Sequence, residues 1–113
     1  MPKKQATTRI IGGSLRGSKL PYKLNKSIRP TENKTKETLF NLLMNNLEGK
    51  TCLDMFAGTG SLGIEALSRG ADKVVFVEKQ KSITDALKLN LERLKVGFLN
   101  LSANSILIKP NSV

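Results

Sequence analysis

The chain has 113 residues, 39% of them hydrophobic, and a formal charge of +10. That is one domain's length, and its single cysteine, Cys52, excludes an internal disulfide and fits a reducing cytoplasm. With no histidine, imidazole bases and His-containing zinc sites are excluded. No apolar run reaches the ~20 residues of a membrane span, and MPKKQATTRI has no apolar stretch behind its lysines, so it does not read as a secretory signal.

Charge is concentrated at one end. Residues 1–36 hold ten Lys/Arg and one acid, Glu32, whereas residues 37–113 hold nine bases and eight acids. A footprint confined to one end reads as a polyanion-binding surface on a near-neutral domain, with a solvated basic tail as the bland alternative. Tyr22 is the only aromatic in that segment, so base stacking there is not indicated. Residues 1–30 are therefore expected to be a basic, β-leaning extension facing nucleic acid, and residues 31–113 a separate domain.

Within the extension, RIIGG (9–13) and KLPYK (19–23) lean toward strand, and SLRGS between them carries turn residues, predicting a small hairpin or two edge strands. Gly12-Gly13 suggests a bulge or a close backbone approach. Pro30-Thr31 then opens a helix whose apolar residues are Leu39, Phe40, Leu42, Leu43 and Leu47, closed by Gly49. TCLDMF (51–56) reads as a buried parallel strand. A glycine loop follows, then a helix over Ser61–Arg69 with Gly70 past its end. KVVFVE (73–78) is a second strand. Ser82 and Asp85 form a capping-box-like start to a helix with the stripe Ile83, Ala86, Leu87, Leu91 and Leu94. Gly97 closes it, and FLNLSA (98–103) is expected to be a third strand. This order is one mononucleotide-binding half of a doubly wound α/β fold, with the strand C-termini along one edge.

The loop carries the chemistry. Gly58, Gly60 and Gly63 satisfy G-x-G-x-x-G between a strand and a helix, and Glu78 ends the next strand, placed to accept bonds from ribose hydroxyls. A dinucleotide and S-adenosylmethionine both remain open on spacing, as does a loop that merely turns the chain. Asp54, just ahead of the loop, shifts the balance. Two like charges ~4 Å apart repel by ~1 kcal/mol in water and ~4 kcal/mol at an effective dielectric of 20. A pyrophosphate is therefore disfavoured beside Asp54, and the ammonium and sulfonium of S-adenosylmethionine are favoured.

RIIGGSLRGSKLP, SIRPTENKTKETLFNLL, CLDMFAGTGSLGIEALSRGA and VVFVEK together resemble the bacterial small-subunit ribosomal RNA guanine-N2 methyltransferases, over about Arg9 to Leu94. The resemblance implies a class I, S-adenosylmethionine-dependent enzyme methylating the exocyclic amine of a guanine. It implies the N-terminal half of a Rossmann-like α/β fold, about three parallel strands with helices, behind the basic extension and one helix. By the same resemblance Asp54, Ala57, Gly58, Thr59 and Gly60 would line the methionine side of the cofactor. Glu78 would bind its ribose, and Asn104 would approach the adenine amine. Arg9, Arg16, Lys19, Lys23 and Arg29 would contact ribosomal RNA of the assembling small subunit, in the cytoplasm, with no metal.

The family's catalytic loop has two prolines and an aromatic. Here Pro2, Pro21, Pro30 and Pro110 are never adjacent, and Lys109-Pro110-Asn111 does not replace the loop. No catalytic residue is therefore assigned. The chain is expected to be a truncated, inactive form whose strand 51–56 is left as an open edge that favours self-association. A non-catalytic binder of RNA or S-adenosylmethionine, and less so an NAD-dependent oxidoreductase fragment, stand as alternatives.

Overall fold

The computed structural model describes residues 5–23, 33–43, 47–55, 59–102 and 105–108. β1 (Gln5–Arg9) and β2 (Lys19–Lys23) form an antiparallel two-stranded sheet with Arg9 opposite Lys19. α1 (Asn33–Leu43) follows. Then come β3 (Thr51–Asp54), α2 (Ser61–Ser68), β4 (Lys73–Val77), α3 (Lys81–Arg93), β5 (Leu99–Ser102) and β6 (Ser105–Ile108). The last four strands make one mixed sheet in the order β3-β4-β6-β5.

The expected α/β architecture is present, with β3 and β4 parallel and α2 as their crossover. The end of the sheet differs from expectation. The strand expected over 98–103 is present as β5, but it continues into β6 as a hairpin, and β6 lies antiparallel against β4, between β4 and β5. Two residues between β5 and β6 can make a hairpin, whereas a parallel neighbour needs a crossover of a dozen or more. β3, β4 and β5 thus run one way, with β6 inserted against the grain.

Three local expectations are also corrected. The first strand is 5–9 rather than 9–13. Residues 10–18 form the turn, closed by Ile10 N–H to the Ser18 carbonyl (3.0 Å) and Gly17 N–H to the Ile10 carbonyl (2.8 Å). α3 starts at Lys81 after Gln80, with no side-chain cap, so Ser82 lies inside the first turn. The Gln80 carbonyl instead accepts from Ile83 N–H (3.1 Å) and Thr84 N–H (3.0 Å). β3 is not a doubly buried strand: it ends the sheet, and Leu53 is 61% exposed on the face opposite α2. The Pro30-Thr31 helix start lies outside the described residues.

Burial on α1 follows the apolar pattern only in part: Phe40, and Leu47 beyond the helix, are buried, whereas Leu39 is 40% exposed. On α3 the stripe holds, with Ile83, Leu87 and Leu91 buried. One core cluster joins Ile10 and Leu20 of the N-terminal hairpin to Phe40, Ile64, Val74, Phe76, Leu87 and Ile106. Asn90 Nδ2 reinforces this by donating to the Pro21 carbonyl (3.1 Å). The Gly12-Gly13 pair is a close approach, as its sequence suggested. Gly13 has φ +80°, and a Cβ there would sit 1.9 Å from the Ser68 carbonyl oxygen. No described helix is long and apolar enough to cross a membrane.

α2 packs close to the sheet because Gly63 has no side chain. A Cβ at Gly63 would lie 2.2 Å from Phe76 Cε1 and 2.9 Å from Val74 Cγ1. Overpacking of this kind costs about 1–3 kcal/mol. Gly63→Ala is expected to lose that much unfolding free energy, read as a lower urea midpoint with an unchanged m-value.

Candidate functional site

Ligands of open α/β sheets bind beyond the carboxyl ends of the parallel strands. At that edge Asp54 ends β3, and its register partner is Phe76, so Glu78 stands two residues further along the adjacent strand. Asp54 Oδ2 is buried, and Asp54 shares the helix-side face with Phe76. Glu78 Oε2 accepts from the Gln80 N–H at 2.9 Å, which fixes the turn between β4 and α3. Between the two acids in sequence, Thr59 is buried, and its Oγ1 accepts from the Ser61 N–H (3.2 Å). Gly60 caps α2 with φ 80° and ψ 4°, a left-handed conformation that glycine takes without strain. A Cβ there would also meet Leu87 Cδ1 at 2.2 Å.

The sequence candidates Ala57, Gly58 and Asn104 lie outside the described residues. Ser105, the first residue of β6, pairs with Val77. Met55, Thr59 and Gly60, the described loop residues, bring no cation to this edge. Two carboxylates flanking a glycine-capped helix suit a cationic, hydroxyl-bearing ligand better than a pyrophosphate. No cluster of three metal-ligating side chains occurs among the described residues.

On the hairpin, Arg9, Arg16 and Lys19 are exposed. Arg9 and Lys19 are directly opposite one another, and like charges so placed destabilise a two-stranded sheet. A bound polyanion would relieve that repulsion. Lys23 lies at the far end of β2, and Arg29 lies outside the described residues.

Lys36, counted above among the N-terminal positive charges, is fully buried instead. Its Nζ donates to the Arg9 carbonyl (2.6 Å) and to Ser61 Oγ (2.9 Å), and lies 3.6 Å from Glu65 Oε1. Glu65, also fully buried, accepts from the N–H groups of Ile11 (2.9 Å) and Gly12 (3.0 Å) and from Arg69 Nε (2.9 Å). The Arg69 guanidinium sits 5.0 Å from the centre of the Phe40 ring. Burial alone would raise the Glu65 carboxyl, but the Ile11 N–H, Arg69, the Gly12 N–H and Lys36 together hold it below its ordinary value. Burial lowers the Lys36 ammonium, with the carboxylate of Glu65 opposing that shift. Sequence reading missed this cluster. Its one signal was an acid inside the apolar run LGIEAL, followed four residues later by an arginine.

The family described as conserved hypothetical protein 95 matches residues 8–109. The chain is 51% identical over 94 residues to ribosomal RNA small subunit methyltransferase D of Haemophilus influenzae, covering 83% of this chain and 49% of that protein. To the Escherichia coli protein of the same name it is 46% identical over 89 residues, covering 79% and 45%. A solved methyltransferase structure from Escherichia coli superposes with a TM-score of 0.68 at 41% identity, covering 80% of this chain and 48% of that one. The chain thus spans about half the length of the curated relatives it matches.

Removing one partner from a buried, hydrogen-bonded charge cluster typically costs 3–5 kcal/mol, and Glu65→Gln is expected to lose about that much in urea unfolding. Because the folded pKa of Glu65 lies below its ordinary 4.5, the unfolded chain binds more protons in acid. The contribution of Glu65 is complete above that value and is lost as pH falls through the folded pKa. Wild-type stability should therefore fall more steeply than that of Glu65→Gln below about pH 4.5.

Proposed function

The chain belongs to the family of conserved hypothetical protein 95, and from that membership we propose that it binds S-adenosylmethionine and ribosomal RNA as part of a methyltransferase acting on a small-subunit guanine N2. The observation that carries this reading is the placement of Asp54, at the end of β3, and Glu78, just past the end of β4, at one sheet edge with the Gly60-capped helix α2. The names of the relatives support the ribosomal RNA substrate.

In this reading Asp54 attracts the cationic methionine end of the cofactor, and Glu78 accepts bonds from its ribose hydroxyls. Gly60, with Ala57, Gly58 and Thr59, lets the ligand approach the backbone, and Asn104 meets the adenine. The cofactor supplies an electrophilic methyl group. The protein's part is to hold that group in line with an incoming amine, which is mostly a matter of orientation. Arg9, Arg16 and Lys19, with Lys23 and Arg29, bind phosphates and set the position of the RNA without reading its sequence. Nothing in these 113 residues matches the Pro-Pro loop that would grip the amine. By itself the chain therefore holds the methyl donor and RNA and turns over little or no substrate.

Calorimetric titration should show binding of S-adenosylhomocysteine and none of NAD. Asp54→Ala should weaken that binding about tenfold or more, as expected for loss of a charge-assisted contact. Binding of NAD alone would overturn the cofactor assignment, and methyl transfer to small-subunit RNA by the isolated chain would overturn its inactivity.

RNA affinity should fall with salt at a log–log slope of roughly −0.7 to −0.9 per phosphate contact. Arg16→Glu and Lys19→Glu should each reduce the magnitude of that slope. A flat salt response would leave the basic segment as a solvated tail.

A further inference from the structure

Ser61, Glu65 and Ser68 recur along one buried face of α2 at helical spacing. Each is tied to the main chain of the N-terminal hairpin. Ser61 Oγ accepts from Lys36 Nζ (2.9 Å), which also donates to the Arg9 carbonyl (2.6 Å). Glu65 accepts from the Ile11 and Gly12 N–H groups, and Ser68 Oγ from the Leu15 N–H. The Ser68 carbonyl accepts from the Ser14 N–H (2.8 Å). The exposed cations Arg9 and Arg16 stand on or directly beside these attached residues, and Lys19 is paired with Arg9. At the other end of the same helix face, the Ser61 N–H donates to the buried Thr59 Oγ1, next to Gly60.

The hairpin end at Arg9 and Lys19 has two arrangements of different charge cost. Like charges directly opposite favour its opening, and phosphates on both side chains favour its closure. Opening withdraws the Arg9 carbonyl from Lys36, and a buried ammonium deprived of an acceptor must turn to others. Those left to it are Ser61 Oγ and Glu65. A change at the hairpin therefore reaches the first turn of α2 through one side chain. Resting on the cofactor and RNA assignments above, we propose that Lys36 is a positioning residue that makes polyanion binding on the hairpin and cofactor binding at the glycine loop mutually favourable. A ligand that orders a shared element spares the second ligand that cost, and the effect is reciprocal.

The test uses the full chain and a transcript of small-subunit ribosomal RNA. The transcript alone should slow amide hydrogen exchange at Ser61 and Ile64, in the first turn of α2, by about fivefold or more. It should tighten S-adenosylhomocysteine binding, read by calorimetry, by a similar factor. Lys36→Met leaves Glu65 short of a cation, so Ser61→Ala is the milder variant: it removes one acceptor of Lys36 and keeps the Glu65 cluster. Ser61→Ala should still bind RNA but lose both effects, and Ser61→Thr, which retains the hydroxyl, should restore them. A merely structural role for Ser61 would lower the urea midpoint and leave the ratio of affinities with and without RNA unchanged. Exchange at these amides indifferent to RNA, equal S-adenosylhomocysteine affinity with and without it, or an enhancement that survives Ser61→Ala would each overturn the proposal. The exchange measurement needs no cofactor, and titration without RNA tests the cofactor assignment by itself, so the two failures are distinguishable.

Discussion

A single carboxylate organises this structure. Glu65 is the one charged residue of α2, and its oxygens are held by groups distant in sequence, the Ile11 and Gly12 amides and the Lys36 ammonium, together with the Arg69 guanidinium one turn along. An ionised carboxylate withdrawn from water is tolerated only with such compensation. The arrangement is directional, unlike the apolar core around it. It fixes where the residue 10–18 turn lies on α2 and how α1 approaches both. Ser68 repeats the theme one turn later, accepting from the Leu15 N–H (2.8 Å) and donating to the Gly12 carbonyl (2.5 Å).

Lys36 extends this anchor toward the basic hairpin and the glycine loop. Through the Arg9 carbonyl it holds the end of β1, where the exposed basic residues begin, and through Ser61 Oγ it holds the first turn of α2. Ser61 in turn donates its N–H to Thr59 in the glycine loop. The basic hairpin and the glycine-loop end of α2 are thus fastened to the same buried ammonium. A substitution at Lys36 would disturb both at once, despite lying in neither.

Much of this architecture was legible in the sequence, and the parts that were not have physical reasons. β4, α2 and the stripe of α3 follow from periodicity, because each packs one face on a local neighbour. The glycine loop declared its place between strand and helix, and Gly60 confirms the need for a left-handed residue there. The β5–β6 hairpin was hidden, since apolar runs such as LNLS and SILI reveal strand character but not direction or partner. The first strand was misplaced because the amides of Ile11 and Gly12 bond to Glu65, more than fifty residues away, rather than across a ladder. Lys36 was counted as surface charge for a similar reason. Nothing local distinguishes a solvated lysine from one whose acceptors come from other parts of the chain.

The antiparallel insertion of β6 has a consequence for how the sheet edge is built. Its first residue, Ser105, pairs with Val77, and Ser102 pairs with Ser105. β5 therefore ends, and β6 begins, level with the carboxyl end of β4. A crossover strand would finish at that level, whereas β6 starts there and runs back along β4. The carboxyl edge of the sheet is thus set by where strands begin or end rather than by the direction in which each one runs.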